Sequence, residues 1–131
     1  MLHPNQFQVN EAWILFKLND APICTERDGD INIFALMDAA SCFLLGSALV
    51  TTRTTEPSRL ESRRLLEEGR SHKQQLPGKL FIPDKQTAAL MSAEAKRQGI
   101  AVVRVPEDQL LPIIGEAQEG FRARFGGGAV Q

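Results

Sequence analysis

The residue types able to do chemistry are few in this chain and widely spaced. His3 and His72 both sit in polar stretches, and neither has a Cys, Asp or Glu at metal-ligand spacing. Both read as solvated side chains. Cys24 and Cys42 are the only cysteines and lack CxxC spacing, so they read as two reduced thiols, buried or half-buried, without a disulfide or zinc role. Ser41 and Ser47 lack the G-x-S-x-G setting that strains a hydrolase nucleophile into reach. The glycine triplet Gly126 to Gly128 follows a helical pattern instead of joining a strand to a helix, so it cannot cradle phosphate. Asp84 is the acid in the most informative place, directly after Pro83 and before a helical stretch. There it can cap the helix or serve as a ligand at a strand end.

Charge gives no further direction. Fifteen basic and 16 acidic residues leave a net charge of -1, so nothing global draws the chain to nucleic acid or to an anionic membrane. Arg53, Arg59, Arg63, Arg64, Arg70 and Lys73 cluster around one segment, but Glu56, Glu61, Glu67 and Glu68 offset most of them. Ion pairs along a helix are expected from this pattern, ahead of a phosphate-binding face.

The elements that position these residues follow from periodicity and punctuation. At 131 residues, 43% of them hydrophobic, one domain is expected. It divides into a loose N-terminal arm over 1–11, a globular α/β body over 12–125 and a flexible tail over 126–131. The longest apolar runs, Ile31 to Leu36 and Cys42 to Leu45, fall far short of the roughly 20 residues of a membrane span. The first residues do not resemble a secretory signal, and a cytoplasmic location without membrane contact is expected.

AWILFKL from Ala12 predicts a first strand, broken by Asn19, Asp20 and Pro22. Arg27 to Asp30 predicts a turn around Asp-Gly. INIFALM (Ile31 to Met37) and CFLLGSALV (Cys42 to Val50) predict a hairpin around Asp38 to Ser41, apolar on both faces, with Asp38 starting the turn. Pro57 opens a helix with Ser58 and Glu61 at capping-box spacing and Leu60, Leu65 and Leu66 as a weak stripe. Gly69 is expected to end it, with a polar connection from Arg70 to Gln75. KLFIPD predicts a buried strand stopped at Pro83, and Asp84 a cap for a helix over Lys85 to Gln98 with Ala88, Met91 and Ala95 inward. Gly99 ends that helix, IAVVRV (Ile100 to Val105) is the next strand, and the two strands must be parallel. Leu110, Ile113, Ile114, Ala117, Phe121 and Phe125 place a last helix over Glu107 to Phe125, with a kink or restart at Pro112.

An antiparallel meander of three strands followed by α-β-α-β-α resembles the ribonuclease-H-like superfamily, and within it the integrase core. The resemblance covers about Ala12 to Pro106. Trp13 opens the first strand, INIFALMDAASCFLLGSALV is similar to the integrase hairpin, and LPGKLFIPD to its strand ending in aspartate. TAALMSAEAKRQGIAVVRVP resembles the following helix, glycine break and strand. The resemblance implies carboxylates holding two divalent metals about 4 Å apart. Its first acid belongs three residues after the tryptophan position, where this chain has Phe16. Asp84 matches the second, and Glu119, 35 residues on, or its neighbour Glu116 would supply the third.

With Phe16 at the first position, the leading expectation is a non-catalytic interaction or regulatory domain. It would act through a protein partner or self-association and need no cofactor. The rival is a nuclease dependent on Mg or Mn with a rearranged site drawn from Asp84, Glu116, Glu119, Asp20 and Asp38. A third reading is a non-catalytic nucleic-acid binder using the arginines of the first helix.

Overall fold

The computed structural model describes residues 1–27 and 29–125. The order of elements is β1 (Ala12–Lys17), β2 (Ile23–Thr25), β3 (Gly29–Asp38), β4 (Leu44–Thr51), α1 (Arg59–Lys73), β5 (Lys79–Pro83), α2 (Ala89–Arg97), β6 (Ala101–Val105) and α3 (Glu107–Phe125). The six strands form one mixed sheet in the order β2-β3-β1-β5-β6, with β4 paired to β3. β3 runs antiparallel to β1 and β4, whereas β5 lies parallel to both β1 and β6. A central strand covered on both sides must be apolar on both faces. Ala12, Trp13, Ile14, Leu15 and Phe16 are accordingly all fully buried.

Alternation along β1 sorts the core into two layers. Trp13 and Leu15 pack with Leu65, Leu66, Met91 and Ala95 beneath α1 and α2. Ile14 and Phe16 pack with Leu110, Ile113 and Ile114 of α3 on the opposite face.

The expected strands, the hairpin and the parallel pair are present, and several local expectations require correction. Residues 1–11 are docked against the body. Leu2 N–H donates to the Gln109 carbonyl at 2.8 Å, and the Phe7 ring meets Phe81 edge-on at 5.6 Å. β2 is a short additional strand that pairs with β3. Three residues are too few to show alternation, so sequence pattern could not find it. α1 runs past Gly69 to Lys73, and Gln74 ends it in the left-handed conformation. Its N-terminus holds half of the capping box: Ser58 Oγ accepts from Glu61 N–H, while the Glu61 carboxylate pairs with Arg64. Within the stripe Leu60 is exposed and Leu65 and Leu66 are buried. α3 is continuous through Pro112, with no restart.

A further correction concerns Asp84. α2 begins only at Ala89, so Asp84 lies in a turn and does not cap it. The cap comes from elsewhere in the chain, where Glu56 Oε1 accepts from Leu90 N–H at 2.7 Å. Of the two cysteines, Cys24 is exposed instead of buried, and Cys42 is intermediate. Gly29 has the positive φ, 72°, expected of its turn. Asp28, the Phe125 side chain and the tail over 126–131 lie outside the described residues. Among the described residues, no helix is long and apolar enough to cross a membrane.

Candidate functional site at the carboxyl ends of β1 and β5

In open α/β sheets ligands gather at the carboxyl ends of parallel strands, and β1 and β5 supply that edge here. The β1–β5 ladder pairs Ala12 with Lys79, Trp13 with Leu80 and Ile14 with Phe81, then stops. The next same-phase pair would set Phe16 opposite Pro83, and a proline has no N–H to give the Leu15 carbonyl. Gln86 closes the gap from the following turn. Its Nε2 donates to the Leu15 carbonyl at 3.3 Å, and its Oε1 accepts from Lys17 N–H at 3.2 Å. A side-chain amide thus takes the place of the peptide group that Pro83 cannot provide. Arg104 fixes the turn that carries Gln86 by donating to the carbonyls of Pro83 and Gln86.

The α3 side of this edge is closed as well. Phe16 is fully buried in the apolar layer beneath α3. The polar side chain that α3 brings to β1 is Gln118, itself buried, whose Nε2 donates to the Lys17 carbonyl at 3.1 Å. Farther along, Arg122 Nε donates to Asp20 Oδ2 at 2.9 Å and ties the chain beyond β1 to the helix.

The acids predicted as ligands do not converge. Asp84 is exposed at the end of β5. Glu116 lies near Cys42, whose thiol pKa is raised by partial burial first and then by the charges of Glu116 and Asp38. Glu119 is exposed and lies 3.7 Å from Arg122. Asp20 is held by the same arginine. Asp38 is fully buried and committed to the hairpin turn: it accepts from Asn10 N–H at 2.7 Å, Ser41 N–H at 2.9 Å and Ser41 Oγ at 2.8 Å. Among the described residues no three His, Cys, Asp or Glu side chains stand where they could hold a metal ion. A phenyl ring and two neutral amides do not fit a pair of divalent cations, which needs anionic oxygen donors.

Sequence reasoning missed Gln86 and Gln118. Each lies far along the chain from its β1 partner, and glutamine has no strong positional signature. The missing N–H of Pro83 in a central strand was the one signal that a substitute donor was required.

The charged face of α1 pairs internally, as its spacing predicts. Arg64 binds Glu61 at 2.7 Å and also Glu68, and Arg70 lies 3.5 Å from Glu67. Arg63 reaches across to Glu94 of α2 at 3.8 Å. His72 stands edge-on to Phe43 at 5.2 Å between ring centres, and the Lys73 ammonium lies 5.6 Å from the same ring.

No family model and no curated protein sequence matches this chain. Solved structures do. The catalytic core domain of BIV integrase matches with a TM-score of 0.55 at 12% identity, over 88% of this chain and 68% of that one. A simian T-cell lymphotropic virus intasome in complex with PP2A regulatory subunit B56 gamma gives 0.46 at 11% identity, over 97% and 45%. The HTLV-2 integrase catalytic core domain in complex with magnesium, in its dimeric form, gives 0.45 at 9% identity, over 83% and 82%. The likeness to the first of these is one of fold, and it agrees with the mixed sheet and three helices described above. The chain has the ribonuclease-H-like fold of an integrase catalytic core.

Proposed function

We propose that this chain is a non-catalytic interaction domain built on a ribonuclease-H-like scaffold. Phe16 carries this reading. It stands where the resemblance calls for the first metal-binding acid, and it is packed at 0% exposure against α3. Replacing a ligand by a buried ring removes the charge that would hold a cation and fills the space with hydrocarbon. Interaction through a protein partner or a second copy is supported by apolar side chains left in solvent on the hairpin and on α1. Phe43, Leu44, Leu49 and Leu60 are 47%, 44%, 63% and 75% exposed. Single exposed apolar side chains are ordinary, but Phe43, Leu44 and Leu49 together on one hairpin mark a candidate contact surface.

A metal-dependent nuclease remains the second reading because Asp84, freed from the capping role, keeps an exposed carboxylate at the strand edge. The assay that separates the two offers single- and double-stranded DNA and RNA to purified protein with Mg²⁺ or Mn²⁺. No cleavage is expected. Cleavage that disappears in Asp84→Asn would overturn the proposal.

A further inference from the structure

Lys17 ends β1 directly opposite Phe34 of β3, and Phe34 belongs to the α1–α2 layer. The lysine therefore stands on the opposite face of the sheet from Phe16. Its main chain is pinned from both sides, by Gln86 at the N–H and by Gln118 at the carbonyl. The side chain is half-buried, and no ion pair forms on its ammonium among the described residues. An ammonium without an ion partner among the described residues, carried on a main chain held at both its N–H and its carbonyl, can receive an anionic group.

Lys17 lines a cleft of ≈ 670 Å³. That volume falls within the range of pockets that take small molecules. Asn32 and Thr52 from the hairpin and Thr87 from the β5–α2 turn share the lining. Asn32 Oδ1 already accepts from Asn19 Nδ2 at 3.0 Å, which leaves the Asn32 amide as a donor. Asp84, Glu107 and Asp108 also line the cleft, as does Lys85. The lining thus carries two cations, Lys17 and Lys85, with neutral donors and three carboxylates. Those carboxylates repel a polyanion such as a nucleic-acid strand, while they favour an ammonium group.

We propose that this cleft binds a small zwitterion of the amino-acid type, its carboxylate held by Lys17, Asn32 and the threonine hydroxyls and its ammonium set against Asp84, Glu107 and Asp108. Such a ligand satisfies both kinds of group at once, which a simple anion or a simple amine does not. The cleft shares Asp84 with the nuclease reading, but Lys17 and Phe16 lie on opposite faces of the sheet, so the proposal does not rest on what Phe16 replaces.

The test is amide-resolved NMR of the full chain titrated with glycine, 4-aminobutyrate and 6-aminohexanoate, and with hexanoate and hexylammonium as singly charged controls. At least one zwitterion is expected to give saturable shifts at Lys17, Asn32 and Asp84, binding about tenfold more tightly than either control. Lys17→Met should abolish the shifts, and Asp84→Asn should weaken zwitterion binding while sparing hexanoate. Absence of saturable shifts with all three zwitterions would overturn the proposal. So would equal affinity for hexanoate, or zwitterion binding unchanged in both folded variants.

Discussion

Gly69 lies beneath the indole of Trp13, so close that a Cβ on the glycine would stand 2.6 Å from Cη2 and 2.7 Å from Cζ3 of the ring. The glycine in mid-α1 therefore answers to the first residues of β1. The indole itself is oriented by its Nε1–H, which donates to Asn10 Oδ1 at 2.9 Å.

Gly69→Ala sets two effects against each other. Helix propensity favours alanine by about 1 kcal/mol. Forcing a methyl into a filled core typically costs about 1–3 kcal/mol, and here the obstacle is a buried ring that cannot swing away. A net loss of up to about 2 kcal/mol is expected, read as a lower urea midpoint at unchanged slope. A gain in stability would show that the indole yields, and that the close approach does not fix the glycine.

Gln86 and Gln118 should matter to folding in proportion to the main-chain groups they satisfy. Gln118→Ala leaves the Lys17 carbonyl without its donor, a loss of about 1–2 kcal/mol. Gln86→Ala strips both the Leu15 carbonyl and the Lys17 N–H, with an expected loss of about 2–3 kcal/mol. Urea unfolding of the two variants checks the order. Equal and negligible effects would mean that water serves these groups as well as the amides do.

Glu94 gives the fold an acid-sensitive joint. Its side chain is 3% exposed, and a hydrogen bond from Arg97, then one from Gln98, hold its carboxyl below the ordinary range despite burial. Arg63 adds its charge from α1. A depressed carboxylate stabilises the folded chain above its unfolded pKa, about 4.3, and that contribution disappears as pH falls through the folded value. Urea midpoints measured from pH 7 down to the acid limb should therefore fall less steeply for Glu94→Gln than for the wild type. Parallel acid limbs would contradict this role.

Arg64 guards the exposed edge of the sheet. The bond from Thr52 N–H to the Asp30 carbonyl sets the phase of the β3–β4 ladder, which turns the Ser47, Leu49 and Thr51 carbonyls outward. Arg64 Nη2 takes the Ser47 carbonyl at 2.9 Å, and Thr54 N–H takes that of Thr51 at 3.1 Å. From Leu44 to Thr51 the strand carries no charge, so these contacts replace the usual charged protection of an edge. Arg64→Ala should increase self-association in sedimentation velocity, with only a small change in stability because its ion pairs are exposed. An unchanged sedimentation profile would show that the edge needs no guard.

Most of the framework was legible in the sequence because strand alternation and Pro–Gly punctuation are local signals. AWILFKL, INIFALM and KLFIPD needed only their own residues to be read as strands, and Gly99, with φ 84°, ended α2 as expected. What stayed hidden depends on distant partners. Gly69 looked like a helix terminator because its reason, Trp13, is far away in sequence. Asp84 looked like a cap because the actual cap, Glu56, precedes α1. At the candidate site the informative mark was Phe16, a position where an acid was expected. The amides that complete the closure carry no mark of their own.

Phe16, Gln86 and Gln118 close the carboxyl edge of β1 and β5, and on the function proposed above that edge takes up no divalent-metal pair. Calorimetric titration of Mn²⁺ into the purified protein, with Asp84→Asn alongside, tests it most directly. The predicted result is the same non-saturating heat for both proteins. Saturable binding by the wild type that is lost in Asp84→Asn would contradict it and place a working carboxylate at this edge.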